Sequence, residues 1–441
     1  MLFIGNQPCA VNYAANQYPF RQDSSFLYYW GLDEPGLAAV MDLDLGEEIL
    51  FGDDPGLEDV IWTGPRPAMK EKALRVGVEK AGPLAGLAGA VEKARRTGRP
   101  VHYLPPYRRA TSVFLADLLG TGVARIETGS SEDFARAVIA QRSVKGPEET
   151  EQIERALELT ALMHHRAMAL TRPGIREREV VAAMQALVYA ETEGQMAYWP
   201  IFTRNGQIMH NIRHHCRLAA SDLVINDSGA ESEMHYASDI TRTLPVSGRF
   251  DTRQKEIYQI VNEALDACIA SLKPGAAFLD LHMLAGTIVS RGLVELGLMK
   301  GDADEIVGLG AHTLFFPVGL GHMLGLDVHD MEGLGEDLVG YDSSYRRDSR
   351  FGFRYLRLAK PVEKGYVVTV EPGIYFVEEL IGKWKEQGRF RDFINYPEVE
   401  RWAGFGGVRL EDDVLVTENG SRVLGPPIAR TITEVEEAMA R

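Results

Sequence analysis

The chain has 441 residues, of which 45% are apolar, so it is long enough for two or three domains with a large buried core. Its formal net charge of −16 argues against nucleic acid or an anionic membrane as a partner, because both attract basic surfaces. The chain contains no apolar run of about eighteen residues and no secretion signal, and its Cys9, Cys216 and Cys268 are odd in number and far apart. We therefore expect a cytoplasmic protein without a disulfide framework.

Residues 1–141 have the pattern of an α/β domain. Apolar runs joined by a Gly-Glu turn predict two strands, and later segments with helical spacing predict helices before and after a short third strand. The predicted strands are 37–44, 47–52 and 101–104, and the predicted helices are 67–75, 84–97 and 110–119. The stretch QRSVKGP (141–147) lacks an apolar period and ends on Gly-Pro, which predicts a linker.

Residues 148–441 have a different order of elements. A long helix is predicted over 148–170, because its first turn is rich in Glu and Pro-Gly follows its last turn. Further helices are predicted at 177–192, 253–272 and 279–298, and strands at 222–227, 236–246, 366–376 and 406–417. Two helices, strands, two helices and more strands indicate an α+β fold.

Four carboxylates lie inside these strand-like runs, namely Asp227, Asp239, Glu371 and Glu411. Strand periodicity places Asp227 on one face with Leu223 and Ile225. A carboxylate on the inward face of a sheet is costly unless it is paired, protonated or bound to a cation. Any one of the four alone would more often be a solvated residue at a strand end.

Two histidines, His322 and His329, lie seven residues apart in the Gly-rich segment HTLFFPVGLGHMLGLDVHD (312–330). One histidine in such a segment is more often structural than a ligand. Four carboxylates with one imidazole, however, form a set of mainly hard oxygen donors, which suits a pair of Mn²⁺ or similar ions better than a structural zinc. The run HHC (214–216) lacks a second ligand pair and is interpreted as surface or loop.

Four ordered motifs carry a family resemblance: DSGAESEMHYASDITRT (227–243), GLGHMLGLDVHD (319–330), VEPGIYF (370–376) and FGGVRLEDDV (405–414). They resemble the pita-bread metallopeptidases, and among these the Xaa-Pro peptidases, aminopeptidase P and prolidase. The stretch YPFRQDSSFLYYWGL (18–32) resembles the N-terminal domain of aminopeptidase P. The resemblance implies a creatinase-N-like α/β domain (1–141) followed by a pita-bread catalytic domain (148–441).

The resemblance also implies a dinuclear site. Asp227 would chelate one metal, Asp239 and Glu411 would bridge both metals, and His322 and Glu371 would complete the second. The expected cofactors are two divalent ions, Mn²⁺ first, with Co²⁺ and Zn²⁺ as alternatives. Two dications lower the pKa of bound water and polarise a substrate carbonyl, which would be the carbonyl of an Xaa-Pro bond.

Further site residues follow from the same resemblance. His329 would steady the developing oxyanion, His210 would lie near the substrate, and Glu371 would also handle the proton. Arg409 would lie beside the bridging carboxylate and help to bind substrate. Arg357 matches a prolidase arginine that binds the free carboxylate of a dipeptide.

Substrate choice stays open between two activities. The N-terminal motif favours an Xaa-Pro aminopeptidase, whereas Arg357 and the insertion at 377–404 favour an Xaa-Pro dipeptidase, and Arg357 could equally be a salt-bridged surface residue. Two remoter readings are a creatinase-like C–N hydrolase without metals and a binding module without catalysis. Relatives are commonly dimers or tetramers, so the expected partners are a small peptide with proline in second position and further copies of the chain.

The sequence departs from the family pattern in two places. Val318 occupies a position that is usually histidine, which puts substrate binding in doubt but not the metal ligands. Asp227 and Asp239 are separated by one residue more than in many relatives. Because one inserted residue would turn Asp239 to the other face of a strand, we predict a turn or bulge within ESEMHYA (231–237).

Overall fold

The computed structural model describes residues 1–192 and 194–440. Two compact units are present, one formed by Met1–Arg142 with Glu332–Gly335 and the other by Ser143–Met331 with Glu336–Arg441. The predicted domain bounds, 1–141 and 148–441, stay predictions beside this division. Both units mix helices and strands, which agrees with the predicted α+β class.

The first unit is built on a small mixed sheet. The strands of this unit are β1 Leu2–Ile4, β2 Ala10–Tyr13, β3 Asn16–Gln17, β4 Ala38–Asp42, β5 Glu47–Phe51 and β6 Lys80–Gly82, and β2 and β3 pair only with each other in a separate two-stranded sheet. Its helices are α1 Ser24–Trp30, α2 Leu57–Thr63, α3 Met69–Arg75, α4 Gly86–Arg96, α5 Arg109–Leu119, α6 Val123–Thr128 and α7 Glu132–Ser143, whose last residue belongs to the second unit. The sheet has the order β1-β4-β5-β6, with only the β5–β6 pair parallel. Its apolar core contains Leu2, Phe51, Val91 and Leu115.

One sequence prediction in this unit is wrong and another is too long. Residues 101–104 form no strand, and only Tyr103 makes an isolated bridge, to Leu2. The predicted linker 141–147 contains the boundary between the two units, but its first residues belong to α7, which continues through Ser143. Arg142 is buried and donates from Nη1 to Ser25 Oγ at 3.0 Å, so this part of the segment belongs to the folded unit rather than to a linker.

The second unit contains the long helix that the sequence predicts. Its helices are α8 Pro147–Leu170, α9 Glu177–Glu191, α10 Thr252–Ser271, α11 Phe278–Glu295, α12 Ala303–Leu309, α13 Glu336–Gly340, α14 Glu378–Glu386, α15 Tyr396–Val399 and α16 Ile432–Ala438. Short 3₁₀ helices lie at Ala311–Leu314, Phe353–Tyr355 and Glu400–Trp402, and a further one, Glu332–Leu334, belongs to the first unit. The strands of the second unit are β7 Ile201–Thr203, β8 Leu223–Asp227, β9 Thr241–Pro245, β10 Val367–Val370, β11 Gly373–Tyr375, β12 Gly407–Arg409, β13 Asp412–Val416 and β14 Ser421–Val423.

Three antiparallel sheets with the orders β7-β8-β9, β10-β13-β14 and β11-β12 form the framework of this unit. The register pairs Asp227 with Thr241 across β8 and β9. Thr241 also forms an isolated bridge with Glu411, and Met323 forms one with Val368 in β10. These bridges bring the ends of separate sheets, and the chemistry-bearing residues near them, into one place.

The predicted irregularity between Asp227 and Asp239 is confirmed. Glu231 and Ala237 form an antiparallel bridge that closes a tight turn, and His235 within it has a φ of 67°. His235 N donates to Ser232 O at 2.9 Å. The strand prediction for 236–246 is too long, because β9 starts only at Thr241 and Asp239 precedes it.

Helix α11 carries a histidine that lies in the apolar core. His282 is 1% exposed, and its ring nitrogens have no hydrogen-bond partner among the described residues. Its ring lies beside Phe316, with centroids 5.3 Å apart, and beside His312, with centroids 6.4 Å apart. Burial lowers the pKa of His282 to about 4 and, followed by the charge of His282, that of His312 to about 3.

His282 makes stability depend on pH. Its pKa is about 6.5 in an unfolded chain, so the unfolded state takes up the proton first and stability falls as the pH drops from about 6.5 towards 4. Each such histidine contributes a slope of up to about 1.4 kcal/mol per pH unit. We expect His282→Leu to remove the contribution of His282 to this pH dependence. In urea unfolding, the free energy of unfolding of the variant should therefore increase relative to that of the parent chain as the pH falls from about 6.5 towards 4. A difference that does not change with pH would contradict this.

None of the helices in residues 1–192 and 194–440 is both long and apolar enough to cross a membrane.

Candidate metal centre

Three of the predicted metal ligands meet in the second unit. One ligand atom from each of Asp239, His322 and Glu411 lies within 4.8 Å of the other two, and all three residues are buried. His322 Nε2 lies 3.4 Å from Asp239 Oδ2. A carboxylate pair and an imidazole therefore converge on a single small volume.

The other two predicted ligands flank this group. Glu371 Oε1 lies 3.7 Å from His322 Nε2. Asp227 is linked to Asp239 by Tyr198, whose hydroxyl lies 2.6 Å from Asp227 Oδ1 and 2.5 Å from Asp239 Oδ1. The structure thus brings all five residues together, although their roles as ligands stay predictions.

Backbone contacts hold these side chains in place. Asp227 ends β8, and Glu411 N donates to Thr241 O at 3.1 Å, next to the start of β9. Glu371 follows the last residue of β10, and its N donates to Leu320 O at 2.7 Å. Each carboxylate therefore leaves the end of a strand, where the sheets adjoin the loop that contains His322.

The ring of His322 is oriented by its own loop. Its Nδ1 lies 3.0 Å from Met323 O, a geometry that assigns the ring proton to Nδ1. Nε2 then keeps a free lone pair, and it points towards Asp239 and Glu371. This arrangement of a histidine with one nitrogen fixed by a carbonyl is typical of metal-ligating histidines.

Negative charge is concentrated in this cluster. Burial, followed by the charge of Asp227, raises the pKa of Asp239 to about 7. Burial also raises the pKa of Glu371, and burial with repulsion from Asp239 raises that of Glu411. Two or three ionised carboxylates this close are unfavourable unless a cation lies between them.

The donor set fits divalent ions. Four carboxylates and one imidazole offer mainly oxygen atoms, which suits Mn²⁺ and similar hard or borderline ions. A site that binds cations is expected to have an unprotonated histidine nitrogen and carboxyls of raised pKa before the ions bind. His322 Nε2 and the carboxyls of Asp239, Glu371 and Glu411 have these properties. Within the described residues, the cluster therefore meets the chemical requirements of a metal centre.

Arg409 and Thr241 support the cluster from behind. Arg409 is buried, donates from Nη2 to Asp227 Oδ2 and donates from Nε to Thr241 Oγ1 at 3.0 Å. Thr241 Oγ1 in turn donates to Glu411 Oε2 at 2.6 Å. This chain of contacts orients two candidate ligands, Asp227 through Oδ2 and Glu411 through Oε2. The other oxygen of Asp227, Oδ1, faces the Tyr198 hydroxyl.

Of the predicted substrate residues, His329 lies directly beside the cluster. The rings of His329 and His322 have centroids 4.2 Å apart. Burial lowers the pKa of His210, and the charge of Arg409 lowers it further, against the opposing charge of Asp227. Arg357 is 32% exposed at its side chain and its Nη1 lies 3.3 Å from Glu336 Oε2.

Sequence reasoning missed several residues of this centre. Tyr198 joins two carboxylates, and Tyr375 accepts from Arg409 Nη1 at 3.2 Å. Asp413 accepts the backbone N–H of Asp239 at 2.9 Å. Thr241 lies two residues after Asp239, so strand periodicity could have revealed it. Nothing in the local sequence marks Tyr198, because its contacts are made only by the fold.

A second group of ligand-type side chains has a structural role. Glu177, His215 and Cys216 lie close enough to hold an ion, although the interpretation of 214–216 as a loop is correct. Glu177 Oε1 accepts from Arg204 N at 3.0 Å and Oε2 accepts from Cys216 N at 2.9 Å. Burial, followed by the charge of Glu177, raises the pKa of the Cys216 thiol. The carboxylate therefore ties two backbone segments to α9.

The fold and the cluster define a metallopeptidase, and comparisons with known families agree. Residues 151–418 match metallopeptidase family M24, and residues 1–102 match the N-terminal domain of aminopeptidase P. The chain belongs to metallopeptidase family M24. The predicted architecture, an N-terminal aminopeptidase P-type domain followed by a pita-bread catalytic domain, is confirmed.

Individual relatives cover nearly the whole chain. It is 30% identical to the Xaa-Pro aminopeptidase of Escherichia coli strain K12, over 98% of this chain and 92% of that protein. It is 32% identical to a probable Xaa-Pro aminopeptidase of Metarhizium acridum, over 96% of this chain and 81% of that protein. The structure is similar to E. coli aminopeptidase P solved with the inhibitor Pro-Leu, with a TM-score of 0.81, 30% identity, and 99% and 93% coverage. It is also similar to Pseudomonas aeruginosa aminopeptidase PepP, with a TM-score of 0.80, 29% identity and the same coverage.

Removal of the Thr241 hydroxyl tests the support of the cluster. Thr241→Val keeps the shape of the side chain but removes the bonds to Glu411 and Arg409, so we expect Mn²⁺ affinity to fall about 10- to 100-fold. Isothermal titration calorimetry of the metal-free protein measures this. Thr241→Ser, which keeps the hydroxyl, is the matched control and should bind Mn²⁺ within about threefold of the parent chain. Equal affinity in all three proteins would contradict the role of this hydroxyl.

The raised carboxyl pKa values predict how metal binding depends on pH. A carboxyl with a raised pKa destabilises the metal-free fold increasingly as the pH rises from its unfolded value towards the folded one, here about 7 for Asp239. Added Mn²⁺ should therefore raise Tm, and by more at about pH 8 than at about pH 6, where protons compete with the ion. Differential scanning calorimetry with and without Mn²⁺ tests this, and Asp239→Asn should reduce the effect of Mn²⁺. A Tm that Mn²⁺ leaves unchanged at both pH values would rule out the site.

Proposed function

We propose that the chain is a dinuclear metal-dependent Xaa-Pro aminopeptidase, which removes the N-terminal residue from peptides with proline in second position. The convergence of Asp239, His322 and Glu411 carries this proposal, because it sets a histidine lone pair among buried carboxylates of raised pKa. The names of the relatives from Escherichia coli and Metarhizium acridum support the choice of substrate.

The proposed ligand roles are those that the family resemblance implies, and the proximity of the five residues supports them. Asp227 would chelate one metal, and Asp239 and Glu411 would bridge both. His322 and Glu371, which lie side by side at 3.7 Å, would complete the second. Mn²⁺ is the proposed metal because most donors are oxygen atoms, with Co²⁺ and Zn²⁺ as alternatives.

When bound, the two ions would lower the pKa of water to a neutral value and polarise the scissile carbonyl. Glu371 would accept the proton of that water, since burial raises its pKa, and return it to the proline nitrogen as the bond breaks. His329 would donate a hydrogen bond to the tetrahedral oxyanion, and His210 would contact the substrate beside it. Arg409 would hold Asp227 in its orientation and contribute positive charge at the substrate side.

The chemistry of the Xaa-Pro bond explains why its cleavage needs a dedicated site. An Xaa-Pro bond has no N–H, and its cis and trans forms are close in energy, so an enzyme that recognises that N–H handles it poorly. A centre that acts on the carbonyl, with donors such as His329 and His210 around it, does not depend on the missing N–H.

The dipeptidase alternative rests on Arg357 and on the insertion at 377–404. The charge of Arg357 contributes to the lowered pKa of His210, which supports a place for it on the substrate side. Glu336 pairs with it, however, and Glu336 also pairs with Arg347, so this cationic group is already partly neutralised. The observed pairing favours the aminopeptidase.

We further propose a cytoplasmic homodimer or homotetramer. Cys9, Cys216 and Cys268 are free thiols in the structure, which supports a reducing compartment. The oligomeric state is carried over from the family resemblance.

Peptide length separates the two activities. With Mn²⁺ added, we expect the chain to release the first residue from Xaa-Pro-Yaa tripeptides. Chromatography of the products measures this release. Glu371→Gln should lower kcat by about 10²- to 10⁴-fold, because it removes the proton-accepting oxygen. Its Mn²⁺ content should be measured in parallel, since the same residue is a proposed ligand.

Arg357→Ala is the matched control for the alternative. It should leave tripeptide cleavage within about threefold of the parent enzyme. Activity confined to Xaa-Pro dipeptides, and lost in Arg357→Ala, would replace the aminopeptidase with a dipeptidase. A purified chain that holds no divalent ion and cleaves neither peptide would overturn both.

A further inference from the structure

A short loop links the two histidines of the candidate centre. This two-histidine loop, residues 322–330, is closed on itself because Asp330 N donates to Met323 O at 2.9 Å and Gly325 N donates to Asp327 O at 3.1 Å. Met323 O is also the atom that His322 Nδ1 approaches at 3.0 Å. One carbonyl therefore connects the imidazole of His322 to the far end of the loop, next to His329.

A buried ion pair anchors the loop at Asp330. Lys145 Nζ lies 2.9 Å from Asp330 Oδ2, and each of the two side chains is only 1% exposed. The other oxygen, Oδ1, accepts from Asp327 N at 3.3 Å. Lys145 is itself held by its backbone, because its N donates to Gly365 O at 2.8 Å. Both carboxylate oxygens of Asp330 thus have defined partners, one of them outside the loop.

Gly325 shows how closely the loop is wrapped around this pair. A Cβ at Gly325 would overlap Asp330 Oδ2 and would lie 3.0 Å from Lys145 Cε. The backbone of Gly325 also reaches the strand side of the centre, since its O accepts from Ala237 N at 2.8 Å. Ala237 lies two residues before Asp239. The loop therefore carries one proposed ligand, His322, and contacts the segment that carries another, Asp239.

Global stability does not account well for an ion pair in this place. Taking two charges out of water is costly, and well-packed apolar residues are often as stabilising or more so. A charged pair, unlike an apolar one, has a directional geometry that fixes one side chain relative to the other. Fixing Asp330 fixes the carbonyl of Met323, and through it the plane of the His322 ring.

We propose that Lys145 and Asp330 are positioning residues, which set the geometry of His322 and His329 by holding the two-histidine loop. This rests on the proposed function for its effect on activity, but not for its effect on the loop. Neither Lys145 nor Asp330 is a proposed metal ligand or substrate residue. The ion pair and the hydrogen bonds that Asp330 makes within the loop connect the pair to it.

Asp330→Asn and Gly325→Ala test the proposal from two directions. The first removes the charge of Asp330 and keeps its shape, whereas the second keeps both charges and pushes a methyl group between them. Hydrogen–deuterium exchange of the metal-free proteins should be faster in 323–330 for both variants. With saturating Mn²⁺, kcat on an Xaa-Pro-Yaa peptide should fall about 10- to 100-fold while KM changes less, because the defect lies in orientation.

Val435→Ala is the control for plain loss of stability. Val435 is fully buried in α16, so its truncation leaves a cavity and lowers Tm. It should change neither the exchange of 323–330 nor kcat. If Asp330→Asn fails to fold, Lys145→Gln/Asp330→Asn replaces both charges with amides that can bond to each other, and the same readouts apply to it and to Gly325→Ala.

The outcomes separate this inference from the proposed function. Variants that lose Tm as Val435→Ala does, with native exchange in 323–330 and native kcat, would overturn the positioning role. A parent chain that neither binds Mn²⁺ nor cleaves Xaa-Pro-Yaa would overturn the proposed function. In that case exchange in 323–330, together with the 4.2 Å separation of the two imidazole rings in crystals of each variant, still decides whether the pair positions the loop.

Discussion

Repulsion among buried carboxylates is the constraint around which the second unit is organised. Asp227, Asp239, Glu371 and Glu411 approach one another where little water can screen them, and burial with mutual repulsion raises the pKa of the last three. Burying several carboxylates close together costs free energy, and a bound cation offsets that cost. The stability of this cluster therefore depends on pH and on bound ions.

The surrounding residues limit this repulsion without filling the centre. Arg409 pairs with Asp227, the Thr241 hydroxyl donates to Glu411, and Tyr198 contacts both Asp227 and Asp239. These donors occupy both oxygens of Asp227 and one oxygen each of Asp239 and Glu411. The guanidinium of Arg409 cannot balance four carboxylates when all of them are ionised, and the raised pKa values of three of them reflect this. The donors therefore fix directions, and neutralisation is left to the ions.

The sequence was sufficient to identify the candidate ligands but not the contacts that orient them. Strand periodicity and motif order led to all five, because each lies at or beside the end of a strand or in a Gly-rich loop with few other ionisable residues. It also showed that Asp239 needed a local irregularity, which the turn closed by Glu231 and Ala237 supplies. Strand 101–104 was wrong because Tyr103 meets a neighbour at only one position, and no local pattern reveals that.

Tyr198 and Lys145 show why the remainder could not be predicted. Tyr198 lies 29 residues from one of its carboxylate partners and 41 from the other, and Lys145 lies 185 residues from Asp330. Such pairs depend on how the sheets and loops pack, and local propensity carries no information on that. They also share a logic. Tyr198 and Arg409 orient carboxylates directly, while Lys145 orients a carboxylate that in turn holds a loop. A centre that must keep several like charges close together needs both kinds of restraint, since each freely rotating ligand would turn away from the others whenever the ions dissociate.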